Sequence, residues 1–482
     1  ILEAVKSGVL DVKVLDQNVI DILNVIVLSP TFKGYKFSDN PDLKSNAKLS
    51  RAAAAEGMVL LKNNNNALPI NTGSSVALIG INGYDLIAGG TGSGDVTKMH
   101  TVSLAEGLFR SGFATSPELY LTYTRYLEAE NAKRPKRSMM EELMSPTAPI
   151  EEYTLSKETI AMLAKTMDHA IVSIGRNAGE GTDRPVEGNF NLKEAERTLL
   201  KNVSDAFHAQ SKKVIVVLNI AGPIEVATWR EYADAILLAW QPGLEGGNAI
   251  VDVVSGKVNP SGKLATTFPV AYADDITGKN FPGRELPGTE VTGMFGQRAV
   301  SAEVVYEEGI YVGYRYYNTF GVKPAYEFGY GLSYTTFDYS NLELSAATFN
   351  DKLTVSLTVT NTGKTAGKEV VQLYLTAPTG KLHKPAIELK GFAKTNLLQP
   401  GESQRLTFTL TAANLASYQT KVNTWIAEAG TYTIKTGTSQ TFNRTATFKL
   451  AKEIAVEKTN KVLAPTVPIQ ELSGKPSTKK QK

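Results

Sequence analysis

The sequence predicts an α/β domain built on a mostly parallel sheet, followed by an all-β sandwich, with a few helices leading in. Two textures predict it. Short unbroken apolar runs alternate with helical stretches between residues 70 and 269, and from Phe337 the pattern changes to apolar–polar alternation. Length agrees, since 482 residues hold about three domains of roughly 150 residues each.

Composition narrows the chemistry. Hydrophobic residues make up 42% and charged residues 21%, an ordinary globular balance. Lysine plus arginine (51) against aspartate plus glutamate (48) leaves +3, which excludes a chain built mainly to hold nucleic acid. No stretch approaches the roughly 18 apolar residues of a membrane helix. Cysteine is absent, so disulfides, thiolate nucleophiles and thiolate metal sites are excluded. The four histidines (His100, His169, His208, His383) show no HExxH-like spacing. No metal, cofactor, nucleic acid or membrane is expected; carboxylates, hydroxyls, lysines and arginines remain.

Taken in order, residues 1–30 read as two short helices around Gly8, with Val14, Leu15, Val19, Ile22, Leu23 and Ile26 near helical spacing. They have no partner sheet within fifty residues and read as the last elements of a domain whose earlier part lies upstream. Residues 31–69 are expected to be a linker containing a helix over 47–56 and an asparagine cluster that must turn. Within 70–269 the buried strands are Ser75–Ile81, Ala170–Arg176, Lys213–Ile220 and Ala235–Trp240. The helices between them are Leu104–Ser111, Lys157–Met167, Leu192–Gln210 and Pro223–Tyr232. Such an order implies a doubly wound sheet working at the carboxyl ends of its strands. Residues 270–335, rich in Gly, Pro and Tyr, form an irregular connector. Residues 336–450 carry strands at the spacing of an immunoglobulin or fibronectin type III sandwich. Residues 451–482 are a polar, basic tail.

Several glycine patterns fail as motifs. AGGTGSGD (88–95) does not match GxGxxG and reads as a tight loop that brings backbone and the Ser93 hydroxyl close to a ligand or another domain. GKT at 363–365 would need a glycine where Thr358 stands. A serine-hydrolase elbow at Ser93 would need glycines where Thr91 and Asp95 stand. The informative segment is SIGRNAGEGTDR (173–184), which begins at a strand's carboxyl end. There Glu180, between Gly179 and Gly181, could project into a cleft as a general acid; the alternative is a surface turn with Asp183 and Arg184 paired locally.

The run QPGLEGGNAIVDVVSGKVNPSGKLATTFP (241–269) resembles the α/β sandwich domain of glycoside hydrolase family 3, the β-glucosidases and relatives. RAAAAEGMVLLKNNNNALPI (51–70) and the stretch 306–337 resemble two further parts of it, and ELKGF with LQPGES (388–403) resembles its fibronectin type III-like domain. The resemblance implies that the opening helices are the remnant of a (β/α)8 barrel. It implies that Glu180 is the acid/base of a retaining, exo-acting β-glycosidase, with Ser93 on the substrate side and Asp183 and Arg184 holding the loop in shape. The family's nucleophile is an aspartate just before a tryptophan. Here Trp229, Trp240 and Trp425 follow Thr228, Ala239 and Thr424. The nucleophile is therefore expected on a missing barrel segment upstream, of the same polypeptide or a separate chain, and the isolated chain is expected to be inactive. The substrate implied is a β-linked oligosaccharide or glycoside, and the setting periplasmic or secreted. The alternative is a non-catalytic carbohydrate-binding or adhesion module reusing these domains.

Overall fold

The computed structural model describes residues 1–135, 147–178, 184–293, 296, 298–460, 465 and 467–474, with only the backbone at Ser93. The chain divides into two compact units, residues 1–47 and 48–482. In the first, α1 (Leu2–Lys6) and α2 (Val12–Leu28) flank Gly8, and the Asp11 side chain caps α2 by accepting the Lys13 N–H at 3.0 Å. Neither helix buries a residue. Helix α3 (Leu43–Gly57) follows, longer at its start than the sequence suggests.

The second unit opens on a six-stranded sheet: β1 (Val59–Asn63), β2 (Ser75–Ile79), β3 (Ala114–Thr115), β4 (His169–Arg176), β5 (Lys213–Ile220) and β6 (Ala235–Leu238). The spatial order is β1-β6-β5-β4-β2-β3, parallel throughout except for β1, which runs antiparallel to β6. The helices are α4 (Leu104–Arg110), α5 (Pro117–Ala132), α6 (Lys157–Thr166), α7 (Glu194–His208) and α8 (Gly246–Val254). The unbroken apolar runs have a direct cause. Along β5, Val214, Val216 and Leu218 point into one core with α5, α6 and α7, while Ile215 and Val217 point into the other with α3, α4 and α8. A strand covered on both faces has no side left for polar residues.

Four elements of this domain differ from the sequence reading, the first being the two-residue β3, where no strand is expected. β1 lies inside the stretch 31–69 read as linker and forms the sheet's antiparallel margin. α5 was not foreseen, although Ser116 caps it by accepting the Leu119 N–H at 3.2 Å and Pro117 opens it, a start signal legible in S-P-E. The helix expected over Pro223–Tyr232 is not one, and only Arg230–Tyr232 forms a 3-10 turn. Glu225 instead bonds both outside the segment and within it. The Glu225 N–H donates to Phe190 O at 2.8 Å, while the Glu225 carboxylate accepts the Thr228 N–H and hydroxyl, each at 2.7 Å.

The connector 270–335 holds two small ladders, β7 (Arg284–Glu285) with β10 (Ala302–Glu303) and β8 (Val291–Thr292) with β9 (Arg298–Ala299), then α9 (Tyr314–Phe320). It returns along the sheet, bridging Tyr326 to Phe268 and Leu332 to Leu60. The sandwich packs a three-stranded sheet, β11 (Phe337–Leu344), β13 (Lys352–Asn361) and β16 (Ser403–Thr411), on a five-stranded one. The latter contains β12 (Thr348–Phe349), β14 (Val370–Thr376), β15 (Glu388–Lys394), β19 (Gly430–Gly437) and β20 (Phe442–Leu450). β13 and β14, consecutive in the chain on either side of GKT (363–365), belong to opposite sheets. Their alternate residues Leu353, Val355, Leu357, Val371 and Leu373 fill the shared core. A short helix α10 (Ala412–Leu415) leads to β17 (Ser417–Gln419) and β18 (Thr424–Ala427). The segment read as tail contributes β21 (Ile454–Lys458), paired with β18, and the Leu472 N–H returns to Glu307 O at 2.7 Å.

Sandwich and α/β domain are bonded directly. The Glu56 carboxylate at the end of α3 accepts hydrogen bonds from Lys368 and, at 2.5 Å, Lys394. Burial works against its charge, but the two ammonium groups outweigh this and hold its pKa below the ordinary value. Lys263 meets Glu369 at 3.1 Å, and Asn259 donates to Ala366 O at 3.0 Å.

Candidate active site

Strand order decides where a site forms. From β2 the chain crosses outward to β3, then returns to β4 and proceeds the other way to β5 and β6. The connections leaving β2 and β4 therefore part in opposite directions, which leaves a crevice at their carboxyl ends. The loop after β2 carries Ser93; the loop after β4 carries Glu180.

The loop after β2 starts at Gly80, in a left-handed conformation (φ +103°), where a Cβ would lie 2.3 Å from Ser173 O. Its N–H donates to the Tyr123 hydroxyl at 3.0 Å, and the next N–H, of Ile81, donates to the Glu152 carboxylate at 3.1 Å. Burial, seconded by the nearby charge of Glu196, raises the Glu152 pKa to about 7 against the pull of the Ile81 and Tyr153 N–H groups and Arg176. Farther on, the loop is held from the neighbouring strand ends. Asn219, fully buried in β5, bonds both backbone groups of Ile87 and the carbonyl of Trp240. The Gly243 N–H donates to Ala88 O at 2.8 Å. Trp240 itself takes φ +53°, unusual for a bulky residue and costly unless its surroundings enforce it.

At the crevice the two loops touch. The Thr91 N–H faces Ala178 O at 3.4 Å, and a side chain at Gly90 would come 3.0 Å from that same oxygen. Gln241, next to Trp240, donates to the Asn177 carboxamide at 2.9 Å. Immediately beyond Thr91, the 3-10 turn Gly92–Gly94 carries Ser93.

The loop after β4 is anchored by arginines. Arg176, 7% exposed, binds Glu196 through two nitrogens at 2.7 and 2.5 Å and also donates to Gly175 O and Asn189 O. Glu196 simultaneously caps α7 by accepting the Lys193 N–H at 2.9 Å. Arg184 donates to the Asn189 side chain at 2.8 Å and to Pro223 O at 3.1 Å. Burial, and then the positive charge of Arg176, draw its pKa below the ordinary value.

Of the sequence-predicted residues, Ser93 lies on the turn at the crevice, whereas Glu180 and Asp183 lie outside the described residues. What the structure brings together is the stems of their two loops. Sequence reasoning missed Glu152, Arg176, Asn189, Glu196, Asn219 and Gln241. Only Arg176, ending an apolar run at a strand terminus, carried a visible signal. Among the described residues no cluster of histidine or carboxylates could hold a metal ion.

Comparison with known proteins agrees with this architecture. Residues 58–314 match the glycosyl hydrolase family 3 C-terminal domain, and residues 369–440 match a fibronectin type III-like domain. Beta-glucosidase A of Butyrivibrio fibrisolvens is 39% identical over 87% of this chain and 53% of its own length. Thermostable beta-glucosidase B of Acetivibrio thermocellus is 35% identical over 91% of this chain and 52% of its own. The chain thus spans about half the length of these relatives. The structure of beta-glucosidase 3B from Thermotoga neapolitana in complex with alpha-D-glucose superposes with a TM-score of 0.81, at 44% identity, covering 94% of this chain and 61% of that one. A family match across more than half the chain, on a fold with the same two domains in the same order, means that the chain belongs to glycosyl hydrolase family 3.

Proposed function

We propose that this chain is the C-terminal part of a retaining, exo-acting β-glycosidase of β-glucosidase type, acting on terminal β-D-glycosyl residues of oligosaccharides or glycosides. Glu180 is its general acid/base and Ser93 a substrate contact. The observation that supports this most is the meeting of the two loops at Thr91 and Ala178, at the reversal of strand order, because it brings the stems of both residues' loops to one crevice.

Glu180 first protonates the departing glycosidic oxygen, then takes a proton from the water that hydrolyses the glycosyl ester. Such transfers are worth about 10²–10⁴ in rate. The second carboxyl group must lie about 5–5.5 Å away. In this reading it is an aspartate on an upstream barrel segment. Two facts support an upstream partner: the relatives are about twice as long, and α2 exposes Ile22, Leu23, Val25 and Ile26. A periplasmic or secreted setting suits an enzyme that meets oligosaccharides.

The test is turnover of an aryl β-glucoside and an aryl β-xyloside by the purified chain, with Glu180→Gln alongside. The folded chain is expected to be inactive alone and to gain activity when joined to its upstream segment, with Glu180→Gln abolishing that gain. Turnover by the chain alone that vanishes in Glu180→Gln would move the nucleophile into this chain. Turnover indifferent to Glu180→Gln would remove Glu180 from the mechanism.

A further inference from the structure

Arg176 ends β4, and Arg184 is the first described residue past the stretch that holds Glu180. One residue bonds both. The backbone carbonyl of Asn189 accepts the Arg176 Nε–H at 2.8 Å, and its side-chain Oδ1 accepts the Arg184 Nε–H at 2.8 Å. Each arginine is fixed on its other side. Arg176 also binds Glu196 and Gly175 O. Arg184 donates to Pro223 O at 3.1 Å and lies against Gly222, where a Cβ would come 3.0 Å from its Nη1. Among the described residues, the remaining nitrogen of Arg184, Nη2, is buried without a partner, and Asn189 and Pro223 hold the guanidinium. The stem nearer Ala178 is fixed independently, by Gln241 on Asn177.

We propose that Asn189 is a positioning residue for the acid/base step: by tying Arg176 to Arg184 it sets the separation between the two ends of the Glu180 loop, and with it the direction of proton delivery. The inference rests on the assignment of Glu180 made above. Fixing both ends of a short loop removes most of its conformations. Misplacing a reacting group by about 1 Å is enough to cost on the order of a hundredfold in rate. Asn189 makes no contact with substrate in this scheme and acts only through Arg184 and the loop.

The experiment uses the full polypeptide, upstream segment included, and two aryl β-glucosides. One releases dinitrophenolate, which departs without a proton; the other releases phenol, which needs one. Asn189→Ala is expected to lower kcat/KM on the phenyl glucoside about tenfold or more while leaving the dinitrophenyl glucoside within about twofold. Asn189→Asp keeps the acceptor facing Arg184 and is expected to restore the phenyl rate. Arg184→Gln removes the same bond from the other side and must show the same selectivity. It therefore carries the test if Asn189→Ala does not fold. Equal losses on both substrates, or none on either, would overturn the proposal. Glu180→Gln separates the two levels: a steep leaving-group dependence there with none in Asn189→Ala sinks the positioning role alone, whereas none in Glu180→Gln sinks both.

Discussion

Asn219 and Ile87 exchange two hydrogen bonds: the Asn219 Oδ1 accepts the Ile87 N–H at 2.7 Å, and its Nδ2 donates to the Ile87 carbonyl at 2.9 Å. A side chain in β5 thereby substitutes for a strand that the irregular loop lacks, and the same Nδ2 holds Trp240 O at 2.7 Å. Asn219→Leu would leave these partly buried backbone groups unpaired, with an expected loss of about 2–3 kcal/mol. Urea denaturation measures the loss. Amide exchange at Ile87 should accelerate beyond what that loss alone explains, and protection at Ile87 equal to the global value would count against a local clamp.

The Arg176–Glu196 pair is nearly dry, with side-chain exposures of 7% and 12%. Removing one partner strands the other's charge, so Glu196→Ala is expected to cost about 3–5 kcal/mol. The double change Arg176→Met with Glu196→Leu should cost clearly less than the sum of the singles. A denaturation double-mutant cycle that came out additive would mean the two side chains do not depend on each other.

Glu152 makes stability pH-dependent in an unusual direction for a carboxylate. Its pKa rises from 4.5 to about 7 on folding, chiefly through burial. The folded state therefore holds its proton more tightly than the unfolded chain. The stabilisation is complete below pH 4.5 and is lost as pH rises through 7. Compared with Glu152→Gln, the parent should lose about 1–2 kcal/mol between pH 5 and pH 8, a figure discounted for partial exposure. Urea melts at both pH values test this, and an unchanging gap would show that Glu152 ionises normally.

Helices α4 and α8 cross with backbone on backbone. A Cβ at Gly247 would sit 1.9 Å from Ser103 O, whereas one at Gly57 meets nothing within 4 Å. Gly247→Ala should cost about 3 kcal/mol, because neither helix can yield without disturbing the sheet beneath. Gly57→Ala should change stability by no more than about 0.5 kcal/mol. Thermal melts of the two variants side by side provide the comparison.

The elements legible in the sequence are those whose burial is uniform along their length. β5 is apolar because both faces are covered, and α7 shows its helical stripe because one face is. β1 was missed although Met58–Leu61 is a short apolar run, because the run is broken by polar residues after Leu61 and its partner β6 lies more than 170 positions away. Pro223–Tyr232 misled for the opposite reason: its spacing suits a helix, but the Glu225 N–H goes to Phe190 O while the Glu225 carboxylate and carbonyl take up Thr228 and the Trp229 indole in an irregular turn. At the site, Glu180 drew notice because a carboxylate between glycines at a strand end is locally odd. Asn189, Glu196 and Asn219 did not, since an amide or carboxylate declares such a role only through partners that folding supplies.

The two margins of the six-stranded sheet are finished in different ways. Along β1 the returning connector bonds to Leu60, with the Leu332 N–H on its carbonyl at 2.9 Å, and at the far margin β3 is only two residues long. An open strand edge is a template on which a foreign strand can grow. One margin here is already occupied, and the other offers too few groups to seed a new row. The consequence is colloidal: this mostly parallel sheet is protected against propagating into fibrils or recruiting unfolded neighbours through its backbone.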